Sequence, residues 1–102
     1  MKLLQMLLPI KDENGGLFPE HYFTDLRDAL AIKFGGITIY SRSPVKGLWK
    51  ESGSSLVADE MIIYEIMMQD VDLAYWKAQK LRLQKLLHQD EIMMRYHEVT
   101  TI

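Results

Sequence analysis

The sequence predicts an α+β sandwich in which a four-stranded antiparallel sheet carries two helices on one face. Three observations lead there. Residues 61–68 (Met-Ile-Ile-Tyr-Glu-Ile-Met-Met) and 91–97 (Glu-Ile-Met-Met-Arg-Tyr-His) are short runs rich in Ile, Met and Tyr, and they flank a segment, 70–87, with helical spacing. The first half repeats that strand–helix–strand order from Leu3 to Val45. A chain of 102 residues, 48% hydrophobic and 25% charged, has the size and composition of one domain around one core.

Leu3 to Leu8 forms the first strand, with Leu4, Met6 and Leu8 on one side and Leu3, Gln5 and Leu7 on the other. Apolar residues on both sides predict a central strand. Pro9 ends it, and Asn14-Gly15-Gly16 supplies the turn. The opening Met-Lys-Leu-Leu-Gln-Met-Leu-Leu-Pro is too short and too interrupted, by Gln5 and Pro9, for a secretory signal. No run approaches the roughly twenty apolar residues of a membrane helix.

Pro19 opens the first helix, and Phe23, Leu26, Leu30 and Phe34 recur at steps of three or four to give it an apolar stripe. Gly35-Gly36 stops it, since glycine takes the left-handed conformation that closes a helix. The second strand, Ile37 to Ser43, turns Ile37 and Ile39 inward and Thr38, Tyr40 and Arg42 outward. Residues 44–58, containing Gly47-Leu48-Trp49 and Ser52-Gly-Ser-Ser55, read as a long connection, either functional or an extension of the hairpin it joins. Asp70 and Asp72 are candidate caps for the second helix. That helix has two stripes: Leu73, Trp76, Leu83 and Leu87 with Lys80 intruding, and Ala74, Ala78 and Leu81. The second stripe predicts a further contact surface. The order strand–helix–strand–strand–helix–strand is that of the ferredoxin-like βαββαβ fold, which right-handed crossovers favour.

Alternation then places Leu3, Gln5, Leu7, Tyr40, Arg42, Ile63, Glu65, Met93, Arg95 and His97 together on the sheet face away from the helices. A half-apolar face of that kind predicts contact with a partner, in the simplest case a second copy. Its polar members nominate a binding site at Tyr40, Arg42, Glu65 and Arg95, with Trp49 from the connection beside them. Guanidinium groups grip small anions such as carboxylates and phosphates, and a protein partner is the other candidate occupant. Glu65 can equally pair with Arg42 or Arg95 across neighbouring strands.

The remaining chemistry is sparse. The net charge of −2, with signs interspersed, lacks the basic stripe of a nucleic-acid binder. Without cysteine there is no disulfide, thiol catalysis or thiolate metal site, in keeping with a cytoplasmic chain. His21 and His88 have no partner at metal-ligand spacing, so no metal or other cofactor is expected. Gly35-Gly36 follows a helix and cannot form a helix-start phosphate cradle. Glu65 and His97 are a possible base and acid without a recognisable catalytic pattern, which leaves enzyme activity open. The reading is a self-associating ligand-binding or regulatory module; the alternative is a small dimeric α/β-barrel-type enzyme with a cleft on the open face.

Short motifs add two resemblances. Gly36-Ile-Thr-Ile-Tyr followed by Val45-Lys-Gly47, with the long middle connection, resembles the PII nitrogen-signalling proteins, trimeric ferredoxin-like regulators that bind nucleotide. The glycine-rich run those proteins carry before their last core strand is replaced here by Leu86-Leu-His-Gln-Asp-Glu91, so ATP binding is not implied. Tyr40-Ser41-Arg42, Gly47-Leu48-Trp49 and Gln89-Asp90-Glu91-Ile92 resemble small uncharacterised bacterial proteins of similar length. That resemblance implies no activity, but it points to the same Tyr, Arg and Trp.

Overall fold

In the computed structural model the backbone is described for residues 1–50 and 56–102, and side chains for all residues except 41–60. The elements follow the expected order: β1 (Lys2–Pro9), α1 (Glu20–Phe34), β2 (Thr38–Lys50), β3 (Leu56–Met68), α2 (Leu73–Leu86) and β4 (Met93–Glu98). They build one antiparallel sheet in the order β2-β3-β1-β4. This is the ferredoxin-like arrangement, with β1 and β3 central. Both helices lie on one face, where Leu26 and Leu30 of α1 and Trp76 and Leu83 of α2 pack into a single core.

Period-2 alternation explains which strand residues meet them. Leu4, Met6 and Leu8 of β1 and Ile62, Tyr64 and Ile66 of β3 are buried, while Ile37, Ile39 and Met94 pack at the margin. Tyr64 reconciles a hydroxyl with the core by donating to the Phe23 carbonyl oxygen at 2.8 Å. Burial pushes its phenol up to about 12. That bond ties the centre of β3 to the first turn of α1.

The helix ends follow local chemistry. Gly35 closes α1 at φ 82°, donating its N–H to the Ala31 carbonyl. The Asp72 carboxylate caps α2 by accepting from the Tyr75 amide at 3.2 Å. Pro19 stands just outside α1, one residue earlier than its expected place in the first turn. On α2 the first stripe points inward through Trp76, Leu83 and Leu87, except for Leu73 at its exposed start. Lys80, the intruder in that stripe, is engaged by Glu91. Ala74, Ala78 and Leu81 face outward and are covered by no other element among the described residues.

Of the expected connection over residues 44–58, residues 44–50 and 56–58 are strand, and 51–55, with the Ser52-Gly-Ser-Ser55 stretch, lie outside the described residues. Beyond a register shift between Tyr40 and Val45, β2 and β3 continue paired from Val45↔Met61 to Lys50↔Leu56. Pairing of β1 with β3 stops at Pro9↔Met61, so this outer part is a two-stranded ribbon projecting past the sheet. Pro44 sits within the register shift, where no ladder hydrogen bond is required of it.

No helix among the described residues is long and apolar enough to cross a membrane. The two chain ends meet at the sheet's edge: Val99 donates its N–H to the Met1 carbonyl, and Glu98 holds both the terminal ammonium and Lys2. These hydrogen bonds lower the Glu98 carboxyl from 4.5 to about 2. A carboxyl depressed in the folded state stabilises above its ordinary range, and that contribution is lost as pH falls from about 4.5 toward 2. Glu98→Gln is therefore expected to flatten the fall in Tm over that window while leaving Tm at neutral pH little changed; thermal melts at several pH values would show it. The pair is solvent-exposed, so the difference is small.

Candidate functional site

The sheet face opposite the helices is left open by every described helix. Three cross-strand rows cross its centre, fixed by the pairing of β3, β1 and β4. One is Ile63–Leu7–Met93, the next Glu65–Gln5–Arg95, the third Met67–Leu3–His97. The first row is apolar; Met93 and Met67 are each about half exposed. The middle row is polar and internally bonded. Gln5 donates from Nε2 to Glu65 Oε2 at 2.6 Å and accepts at Oε1 from Arg95 Nε at 3.0 Å.

On β2 the residue opposite Glu65 is Thr38; Tyr40 stands opposite Ile63, one row away, and reaches Glu65 on the diagonal. The Glu65 carboxylate, first by hydrogen bonding and then by its charge, holds the Tyr40 phenol above its ordinary value. A polar track Tyr40–Glu65–Gln5–Arg95 thus crosses β2, β3, β1 and β4 in order. The two links made by Gln5 join register partners, and the link from Tyr40 to Glu65 is a diagonal one.

Of the five nominated residues, the structure brings Tyr40, Glu65 and Arg95 onto one track. Arg42 lies on the backbone of β2 within the register shift, and Trp49 on the ribbon opposite Val57; the side chains of both lie outside the described residues. Glu65 and Arg95 are not on neighbouring strands. β1 stands between them, so Gln5 connects them in place of a direct cross-strand ion pair. Gln5, which alternation places on this face, is absent from the five residues nominated by the sequence. His97 sits one row away beside Leu3 and takes no part in the track.

A groove of about 590 Å³ opens at one end of the track. Its floor is Leu3, Thr38, Glu65 and Met67 from the open face; its walls are Phe34-Gly35-Gly36-Ile37 on one side and Val99 and Thr101 on the other. Glu65 is the charged side chain on this otherwise apolar or neutral surface. Gln5 and Tyr40 use part of the carboxylate's roughly four lone-pair directions, and others are left for a donor in the groove. At the far end of the track Arg95 spends Nε on Gln5, and its Nη groups make no hydrogen bond or ion pair with the described residues. Among the described residues there is no group of three His, Cys, Asp or Glu placed to hold a metal ion.

No protein-family model matches the chain, and no curated protein does. The likenesses to PII proteins and to small bacterial proteins therefore rest on their short motifs alone. A fold comparison does succeed. A phage SAM lyase, solved in complex with S-methyl-5'-thioadenosine, superposes with a TM-score of 0.66 over 95% of this chain and 80% of that one. At 10% identity the two share an architecture.

Proposed function

We propose that this protein is a small self-associating binding module. Its ligand is an uncharged or cationic small molecule with an apolar body and hydroxyl or amino donors, seated in the groove beside Glu65. The observation that carries the reading is the carboxylate itself. It is held in place by Gln5 at 2.6 Å, half-buried, and keeps acceptor capacity toward an apolar groove. An acceptor fixed by its neighbours loses little freedom when a donor arrives. Pockets of a few hundred Å³ with an apolar lining and a few placed polar groups are the usual seats of small molecules. An anion would be repelled there; the Arg95 end of the track is the place suited to one.

Nucleosides carrying an apolar substituent fit this description, since ribose hydroxyls and an exocyclic amine are donors. S-methyl-5'-thioadenosine, bound by the phage lyase of like fold, is such a molecule. A thermal-shift series with that compound, adenosine and small anions tests the reading, because a ligand that binds only the native state raises Tm. The nucleosides are expected to raise Tm in a concentration-dependent way. Met67→Trp, which fills the groove from an exposed position, is expected to fold normally and abolish the shift. No shift with any nucleoside would end the proposal; a shift with anions alone would move the site to Arg95. The enzyme alternative draws on the lyase activity of the structural neighbour. Incubation of the protein with SAM, followed by chromatography for breakdown, decides it.

A further inference from the structure

The three rows of the open face have an order that makes the face complementary to itself in one orientation. In the polar row an acid and a base stand on either side of Gln5, two strand spacings (about 10 Å) apart. Rotate a second copy by a half-turn about an axis parallel to β1 that lies above Gln5, midway between the two facing sheets. Its Arg95 then comes over the first copy's Glu65, and its Glu65 over the first copy's Arg95. The same rotation lays Ile63–Leu7–Met93 on its own reversed image, apolar on apolar. A half-turn about an axis across the strands instead sets Glu65 on Glu65 and Arg95 on Arg95, which like-charge repulsion disfavours.

The unspent hydrogen-bonding capacity agrees with the first orientation. The Arg95 Nη groups lack a partner among the described residues, and Glu65 retains lone pairs beyond those used by Gln5 and Tyr40. Sheets packed face to face with aligned strands lie about 10 Å apart, a gap that an extended arginine and a glutamate bridge between them. Isologous contacts of this kind are the commonest way in which soluble chains associate.

Building on the self-association in the proposed function, we infer that a second copy of this chain covers the open face through a two-fold axis parallel to β1, each Arg95 pairing with the Glu65 of the other copy. The partner then roofs the groove beside Glu65, so the small-molecule seat is complete only in the dimer.

Charge exchange tests this directly. Wild-type protein is expected at the dimer mass in sedimentation or light scattering. Glu65→Arg gives a face with two bases, and Arg95→Glu a face with two acids; each alone is expected at the monomer mass. Mixed in equal amounts, they should form a heterodimer, since every base of one then meets an acid of the other. The doubly exchanged chain, Glu65→Arg with Arg95→Glu, should return to a homodimer, and it supplies the test if a single variant fails to fold. A monomeric or trimeric wild type would overturn the inference. So would single variants that stay dimeric, or folded variants that remain monomers on mixing. Heterodimers without a nucleoside shift would leave the interface standing and remove the ligand reading; a shift without heterodimers would do the reverse.

Discussion

Trp76→Ala is expected to destabilise the fold by about 3–5 kcal/mol, the range for deleting a large aromatic from a packed core. Trp76 is 3% exposed and anchors α2 to the sheet. Its ring stacks on Phe34 with centroids 5.4 Å apart and planes 19° apart, and meets Tyr75 edge-on at 5.0 Å. Phe34 closes the inner stripe of α1, so this one ring couples the two helices as well as the helix and sheet. Truncation removes apolar burial and opens a cavity between elements that β-sheet pairing holds in place. For a domain of this size each kcal/mol lowers Tm by roughly 4–8 °C, so melts resolve the effect easily. Trp76→Phe is the informative companion. The indole Nε1 is buried with no hydrogen-bond partner among the described residues, which is a cost the core carries. Phenylalanine keeps most of the stacking area and drops that donor, so its penalty should be less than half that of alanine. Equal losses for both substitutions would show that Nε1 is satisfied in solution, for example by a bound water.

The architecture was legible because each buried residue obeys a period. Leu4, Met6 and Leu8 against Leu3, Gln5 and Leu7 separate the two faces of β1 without knowledge of its neighbours, and Leu26 and Leu30 do the same for α1. Two things were not legible for physical reasons. The extension of β2 and β3 to Lys50 and Leu56 runs through Pro44 and Gly47, both local signals of a loop. Cross-strand pairing overrides those signals, as tertiary context does where propensity is weak. The bridging role of Gln5 was hidden for another reason. Periodicity assigns a residue to a face but carries no information on register, and it is register that sets Gln5 between Glu65 and Arg95. A polar residue at the centre of an apolar central strand was the available signal, since such a group needs a partner at that position.

On the proposed binding reading, Glu65 is the residue to which ligand affinity is expected to be most sensitive. Glu65→Gln keeps the size and shape of the side chain, can still accept from Gln5 Nε2, and removes only the charge. Hydrogen bonds to charged groups contribute about 1.5–3 kcal/mol, against about 1 kcal/mol for neutral ones. The difference is worth roughly 2–30-fold in Kd for a donor-bearing ligand such as S-methyl-5'-thioadenosine. At equal particle mass, Tm without ligand should change little, because Gln5 and Tyr40 keep a partner of the same geometry on the face. Calorimetric titration of wild type and variant, with particle mass measured on the same samples, separates loss of the acceptor from loss of the second copy. If the variant binds the nucleoside as tightly as wild type at equal mass, the carboxylate is not the group that the ligand's donors meet. The track across the open face would then serve association of the two copies alone, with Arg95 as the residue whose removal matters.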